Sequence, residues 1–357
     1  MADFLRTPAS VPGQPNKLLG SKLLAWYDSH ARDLPWRKDR DPYRVWVSEI
    51  MLQQTRVAAV IEHYHEFLRR FPSVQKLGAA RESSVLAAWS GLGYYRRARM
   101  LHAAAKVVAD ELGGKFPESV REWRTLPGIG RYTAAAIASI AFAEPVAVVD
   151  GNVERVLQRL AGKPISGEHV WTVAETVLDR SRPGDFNQAM MELGATVCTP
   201  RAPSCLICPL LGSCATRGEL PGLEKPSRQT KRVIHYALSR RNCSVFLIQR
   251  PADVRLMAGM WELPEIPGPE DHSAPFLTVK HSITVTDYTV TVWERSEAPG
   301  IAGNWWAIDR LPKLPLTGVA RKILRRSGIF PASGTKIKSS RMVGKASEMR
   351  SPGGLER

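Results

Sequence analysis

The sequence predicts an α-helical region followed by a separate α+β domain, and three observations carry that prediction. Apolar residues recur with a helical period from Leu18 to Ala195, and beyond Lys231 the period changes to two. Between these regions, four of the five cysteines crowd into the stretch from Cys198 to Cys214. From Pro221 to Lys231 the chain is rich in Pro, Gly, Lys and Arg and has no period, which marks a linker. A chain of 357 residues suits two domains, each able to bury its own core.

Composition narrows the partner. A net charge of +16, with Lys and Arg scattered through the predicted helices as well as the tail, points to nucleic acid in preference to a membrane patch. Arg131 and Glu144-Pro145 bound the longest apolar run, which falls short of the ~18 residues a membrane helix needs. The opening stretch, residues 1–17, lacks the apolar core of a signal peptide and reads as a disordered lead-in. The cysteines are too crowded for a disulfide framework, so a reducing, cytoplasmic setting is expected for a soluble protein, monomeric and associated with DNA.

In chain order, Leu18 to Ala31 forms an amphipathic helix, and the chain then turns at Asp33-Leu34-Pro35-Trp36-Arg37. Tyr43 to Gln53 is apolar nearly all round, with Glu49 set among its aliphatic residues, an unusual place for a carboxylate. Helices follow at Val57–Arg70 and Ser83–Trp89. After Gly91-Leu92-Gly93, a long helix is predicted from Tyr94 to Leu112, closed by Gly113-Gly114. Ala134 to Ala143 reads as a buried helix stopped by Glu144-Pro145, and further helices fit Asn152–Leu160, Glu168–Asp179 and Asp185–Ala195. Past the linker, Ile234, Tyr236 and Leu238 alternate, Val245 to Ile248 is a short apolar run, and Ser282 to Trp293 alternates with a turn or bulge at Thr286-Asp287. Residues 331–357 are rich in Ser, Gly, Lys and Arg without apolar periodicity and read as a disordered basic tail.

Three groups of residues carry chemistry. In Leu126-Pro127-Gly128-Ile129-Gly130, two glycines leave backbone N–H groups unshielded, a hairpin suited to a DNA phosphate. The strand-like Pro145–Val149 then leads to Asp150-Gly151-Asn152, which delivers a carboxylate nearby and also suits a helix N-cap. Cys198, Cys205, Cys208 and Cys214 have the spacing C-x6-C-x2-C-x5-C, and four thiolates of this kind satisfy either a tetrahedral zinc or a [4Fe–4S] cluster. Cys243 stands alone and is expected to be a buried small hydrophobe.

The segments LPWR, WVSEIMLQQT, GLGYYRRAR, LPGIGRYT, VDGNVERVL and FNQAMMELG, with the four cysteines, occur in the order found in the MutY family of adenine DNA glycosylases. The resemblance runs from about Leu18 to Cys214. It implies a two-lobed helix-hairpin-helix glycosylase fold over 18–220, a [4Fe–4S] cofactor in the loop 198–214, and double-stranded DNA with adenine opposite 8-oxoguanine or guanine as partner. Residue by residue, it implies Glu49 as general acid, Asp150 as its electrostatic partner, and Tyr132 and Asn152 as supports for the sugar and Asp150. Gln54 and Tyr94 would fill the gap in the base stack, Leu92 would lie near the oxidised guanine, and Trp36 and Arg37 would belong to the adenine pocket. Gly128 and Gly130 would hold backbone phosphate, and Arg96, Arg97 and Arg99 would include further phosphate contacts.

The chemistry asks for such residues independently. Cleaving the bond between adenine and sugar needs an acid for the departing base and an anion for the oxocarbenium-like sugar. Glu49 in an apolar stretch would stay protonated near neutral pH, whereas Asp150 beside backbone donors would stay ionised. Alternatively, Glu49 is a salt-bridged core residue.

Residues 232–330 resemble the Nudix-like recognition domain of the same family through VFLIQRPADVRLMAGMWELPE. No glutamate-rich helix for magnesium follows that strand, so hydrolase activity is not expected. The family's Phe-Ser-His loop, which touches the lesion, has its counterpart in Val279-Lys280-His281, where only His281 is shared. Two rival functions fit part of the pattern. A thymine or pyrimidine mismatch glycosylase would share the hairpin, Tyr132, Asp150 and the cysteines, but Glu49 and the second domain argue against it. A metal-stabilised DNA-binding protein without catalysis would leave buried Glu49 and the VDGN carboxylate without a reason to be together.

Overall fold

The computed structural model describes residues 15–220, 230–254, 256–268, 274–283 and 285–330. The expected basic tail, most of the lead-in and most of the linker lie outside the described residues.

Helix α1 (Pro15–His30) is followed by α2 (Pro42–Leu52), α3 (Val57–Arg70), α4 (Val74–Gly78), α5 (Glu82–Trp89), α6 (Arg96–Lys106), α7 (Val120–Trp123) and α8 (Arg131–Phe142). Then come α9 (Gly151–Ala161), α10 (Glu168–Val177) and α11 (Pro183–Thr196). Local chemistry explains the boundaries that matter for the cleft. Asp41 caps α2 by accepting from the Arg44 N–H, with Pro42 at the first helical position. Asp150 caps α9, which ends at Gly162 in the left-handed region. The sequence expectation placed the start of α6 at Tyr94; it begins two residues later because Tyr94 adopts φ +48°, outside any right-handed helix. The short α4 and α7 escape a periodicity test because each is a turn or so long.

The helices enclose two cores. Residues of α2 to α8 build the larger one around Trp46, Trp89 and Trp123. Residues of α1 and α9 to α11 build the other around Leu23, Leu157, Met190 and Leu193. The chain therefore leaves the second lobe after α1, builds the first, and returns through Val146–Asp150. That crossing sets Asp150 on the seam. Small residues allow close approach: a Cβ on Gly184 would meet the Ser139 carbonyl at 2.5 Å between the lobes, and one on Gly194 would meet the Asn152 Cβ at 2.6 Å within the second lobe.

The second domain is α+β. Its strands are β1 (Thr230–Arg241), β2 (Ser244–Gln249), β3 (Trp261–Glu262), β4 (Leu277–Ile283), β5 (Thr286–Arg295) and β6 (Asn304–Ala307), ordered β3-β2-β1-β5-β4 with β6 on β2. Helix α12 (Gly318–Arg326) covers the core formed by Leu238, Val290, Val292 and Ile323. Strand β1 starts two residues before the expected boundary at 232 and runs parallel to β5, with Thr230 opposite Thr286. Of the turn or bulge expected at Thr286-Asp287, the structure has the turn. β4 and β5 are antiparallel, Ile283 opposite Thr286, so the chain reverses just before the expected point and the change of phase marks a hairpin. Cys243 is exposed, not buried, because it sits between β1 and β2 where the chain turns. Among the described residues no helix is long and apolar enough to cross a membrane.

Gly194→Ala should destabilise the protein by about 1–3 kcal/mol, since the added methyl overlaps Asn152 on a packed helix pair. Urea unfolding checks this; an unchanged midpoint would show that α9 and α11 separate freely.

Candidate active site

A cleft of about 1540 Å³ runs between the lobes and is also bounded by the second domain through His281, Ser282 and Leu256. The structure brings all twelve of the non-cysteine candidates to its walls: Trp36, Arg37, Glu49, Gln54, Leu92, Tyr94, Gly128, Gly130, Tyr132, Asp150, Asn152 and His281.

Glu49 is only 6% exposed on α2. Its partner is the Tyr132 hydroxyl, which donates to Glu49 Oε2 at 2.8 Å, so the salt-bridged alternative is not what the structure has. Burial pushes the Glu49 carboxyl up to about 7, and the nearby Asp150 carboxylate adds to the rise, while the Tyr132 hydroxyl and Arg37 pull against it. Burial, together with Glu49 itself, holds the Tyr132 phenol well above its ordinary value.

Asp150 is an N-cap and a cleft residue at once. One oxygen accepts from the Asn152 and Val153 N–H groups at 2.9 and 2.7 Å, and the other accepts from the Asn152 side-chain amide at 2.9 Å. Asn152 is held in turn by Arg155 Nη2 at 2.8 Å, whose Nε donates to the Cys198 carbonyl at 2.9 Å. The α9 terminus is thereby hydrogen-bonded to the cysteine loop.

The hairpin places Gly128 at φ +74°, where a Cβ would lie 2.4 Å from that of Met100, so only glycine fits. Gly130 is the N-cap of α8, whose first-turn N–H groups lack intrahelical acceptors and whose dipole favours an anion. Gln54 and Tyr94 both adopt positive φ, +54° and +48°, and Tyr94 is 45% exposed in the cleft. Leu92 is buried, as is Trp36, which packs edge-on against Tyr64. Arg97 does not face solvent with Arg96. It turns inward onto the carbonyls of Ile50 and Met51, so that of the three arginines expected to include phosphate contacts Arg96 is the exposed one. Arg99 is engaged by Glu82 and the Ala258 carbonyl.

Sequence reasoning missed Glu192 on α11. It is fully buried and accepts from Arg32 Nε at 2.6 Å, Arg32 Nη2 at 2.8 Å and Arg37 Nη2 at 2.8 Å. The two guanidiniums hold its carboxyl down at about 2 against the opposing effect of burial. The one available signal was a glutamate in the apolar helix FNQAMMELG, the same signal that singled out Glu49.

Cys198, Cys205, Cys208 and Cys214 line a second, small pocket with Arg159 and Leu211, and none is in a disulfide. Arg159 Nη1 donates to Cys198 Sγ at 3.3 Å and the Arg217 N–H donates to Cys214 Sγ at 3.4 Å. Donors directed at sulfur suit thiolate ligands, so the residues fit a metal or cluster held by cysteines. Among the described residues no three His, Cys, Asp or Glu side chains are drawn together as the ligands of one ion are; the sulfurs sit on the walls of the pocket.

The second domain docks at the root of the Gly91–Tyr94 loop. Ser90 Oγ and the Tyr95 hydroxyl both donate to the Leu316 carbonyl, at 2.8 and 3.0 Å, and Arg321 donates to the Ser90 carbonyl at 2.8 Å. His281 reaches the cleft from β4; burial first, then Lys322, lowers its pKa and keeps the ring neutral.

Residues 47–168 match the HhH-GPD superfamily of base excision DNA repair proteins. In the solved structure of a thermostable thymine-DNA glycosylase, 96% of the chain aligns with 57% of this one at 31% identity and a TM-score of 0.54. The chain belongs to the HhH-GPD superfamily of base excision DNA repair proteins, and within it its sequence is similar to those of adenine DNA glycosylases. It is 47% identical to the adenine DNA glycosylase of Mus musculus over 64% of its own length and 47% of the relative's. With that of Rattus norvegicus the identity is 40%, over 72% and 63% respectively. The chain thus spans about half to two thirds of these relatives' length.

The geometry at Glu49 has a cost in stability. Its folded value of about 7 lies above the ordinary 4.5, so its contribution is full below about pH 4.5 and is lost as pH rises through 7. Glu49→Gln escapes that loss and should be more stable than the parent by on the order of 1–3 kcal/mol at about pH 8, the gain shrinking towards about pH 5. Urea unfolding at both values checks it; a gain independent of pH would contradict the assigned shift.

Proposed function

We propose that the protein is a monofunctional DNA glycosylase that removes adenine mispaired with 8-oxoguanine or guanine. The carrying observation is the pairing of a buried carboxyl raised to about 7, Glu49, with a second carboxylate on the opposite lobe, Asp150, in one cleft. The target nucleotide is extruded into the cleft at a cost of a few kcal/mol, and Gln54 and Tyr94 occupy the space it leaves. Glu49 gives its proton to N7 of the adenine, so the base departs neutral instead of as a poor anionic leaving group. Asp150, held by Asn152 and the α9 N–H groups, faces the positive charge that develops on the sugar. Tyr132 keeps Glu49 in place and stands after the hairpin, where strand-cutting relatives of the superfamily carry a lysine. A phenol forms no imine, so the abasic strand is left uncut.

Cys198, Cys205, Cys208 and Cys214 hold a [4Fe–4S] cluster, for which four thiols lining one small pocket, with Arg159 donating to the Cys198 sulfur, are suited. Its contribution when bound is structural, ordering the loop that Arg155 and Arg159 grip. Protein purified without oxygen should be brown and contain about four irons and four sulfides per chain; a colourless active protein with one zinc would reject the cluster.

The second domain, the Nudix-like unit, reads the base opposite adenine through His281. A thymine mismatch glycosylase is the competing reading, supported by the similarity to the thymine-DNA glycosylase. Purified protein offered duplexes with A opposite 8-oxoguanine, A opposite G and T opposite G should release adenine from the first two. Glu49→Gln should slow that release by on the order of 10² to 10⁴ while still binding the duplex. Release of thymine alone, or a Glu49→Gln variant at parental speed, would overturn the proposal.

A further inference from the structure

Arg97 is the most heavily engaged side chain on the cleft wall, and nothing in the chemistry above uses it. From the first turn of α6 its Nη1 donates to the carbonyls of Ile50 at 2.8 Å, Met51 at 3.0 Å and, more closely still, Gln53. Its Nη2 donates to Thr55 Oγ1 at 3.1 Å and to the carbonyls of Leu92 at 3.3 Å and Gly93 at 3.2 Å. The guanidinium stacks over Trp89 and Tyr94, 5.5 Å from each ring centroid.

Two features set this apart from an ordinary buried arginine. The first three acceptors are the last carbonyls of α2 and its C-cap, which have no intrahelical donor, so the cation completes the helix that carries Glu49. Two of the six acceptors sit next to strained positions. The Gln53 carbonyl belongs to the peptide entering Gln54, and the Gly93 carbonyl to the peptide entering Tyr94. Both following residues hold positive φ, which costs a non-glycine residue roughly 1–2 kcal/mol. One planar group thus orients the two peptide planes that aim the two cleft-facing side chains. Burial lowers the Arg97 pKa to about 10, which leaves it charged at neutral pH.

We propose that Arg97 is the positioning residue that sets Gln54 and Tyr94 as a single two-pronged wedge, so that both prongs enter the base stack together. This rests on the wedge role given to the two residues above. Lysine cannot take over, because one ammonium with three donors cannot span both loops in the plane that a guanidinium does.

The test uses the full chain and its Arg97→Lys variant on two duplexes. One has adenine paired opposite 8-oxoguanine; the other has the same adenine facing an abasic site, where little stacking has to be broken. A 2-aminopurine beside the target reports unstacking on binding, independently of chemistry. Arg97→Lys should lose most of the fluorescence rise and slow single-turnover release by on the order of 10- to 100-fold on the paired duplex, with near-parental release from the unpaired one. Thr55→Ala, which removes one acceptor at a half-buried position, should show the same selectivity with a smaller loss and serves if Arg97→Lys does not fold. Equal losses on both duplexes, or a full fluorescence rise in the variants, would overturn the proposal. A parent protein that unstacks DNA but releases no adenine would defeat the glycosylase reading and leave the Arg97 comparison decided by fluorescence.

Discussion

An acid that must hold its proton near neutral pH needs an apolar socket, and a socket that also admits a substrate has to lie on a seam. Glu49 meets both demands. It sits on a helix that is buried nearly all round, yet its carboxyl borders the cleft between the lobes. The crossing of the chain from the first lobe back to the second brings Asp150 to the same seam, and Tyr132 at the start of α8 bridges towards Glu49. The lobes, their close glycine contacts and the hydrogen bonds around Asp150 can all be understood as what keeps one carboxyl dry and the other surrounded by donors.

The second carboxyl in an apolar helix, Glu192, shows how the same burial gives the opposite result. Two arginines converge on it and hold its pKa at about 2, whereas Glu49 is hydrogen-bonded by a phenol with the Asp150 carboxylate nearby and rises to about 7. Burial pushes both carboxyls up; the partners decide the protonation state. Because Arg37 is bound to Glu192, its side chain is fixed in the cleft by a charged anchor.

Much of the helical region was legible because buried helices leave strong periods and because Gly, Pro and Asp mark their ends. The carboxylates, the hairpin and the cysteines could be picked out because each is a chemically odd residue in its local context. What was not legible depends on contacts distant in sequence. Arg97 reads as one of three arginines in Arg96-Arg97-Ala98-Arg99, and only the approach of the α2 terminus and the Gly91–Tyr94 loop turns it inward. The docking of Leu316 against Ser90 and Tyr95 joins positions more than 220 residues apart, with no local pattern to announce it. The sequence leaves a turn or a bulge open at the β4–β5 hairpin because a tight reversal and a one-residue slip leave the same change of phase.

The most direct measurement is the pH dependence of single-turnover adenine release from a duplex carrying adenine opposite 8-oxoguanine. If protonated Glu49 is the acid, the rate should be flat at low pH and fall as pH rises through about 7, where that carboxyl loses its proton. A rate that stayed level or climbed across that range would contradict the account, because the group placed to protonate the departing base would then be working as a carboxylate.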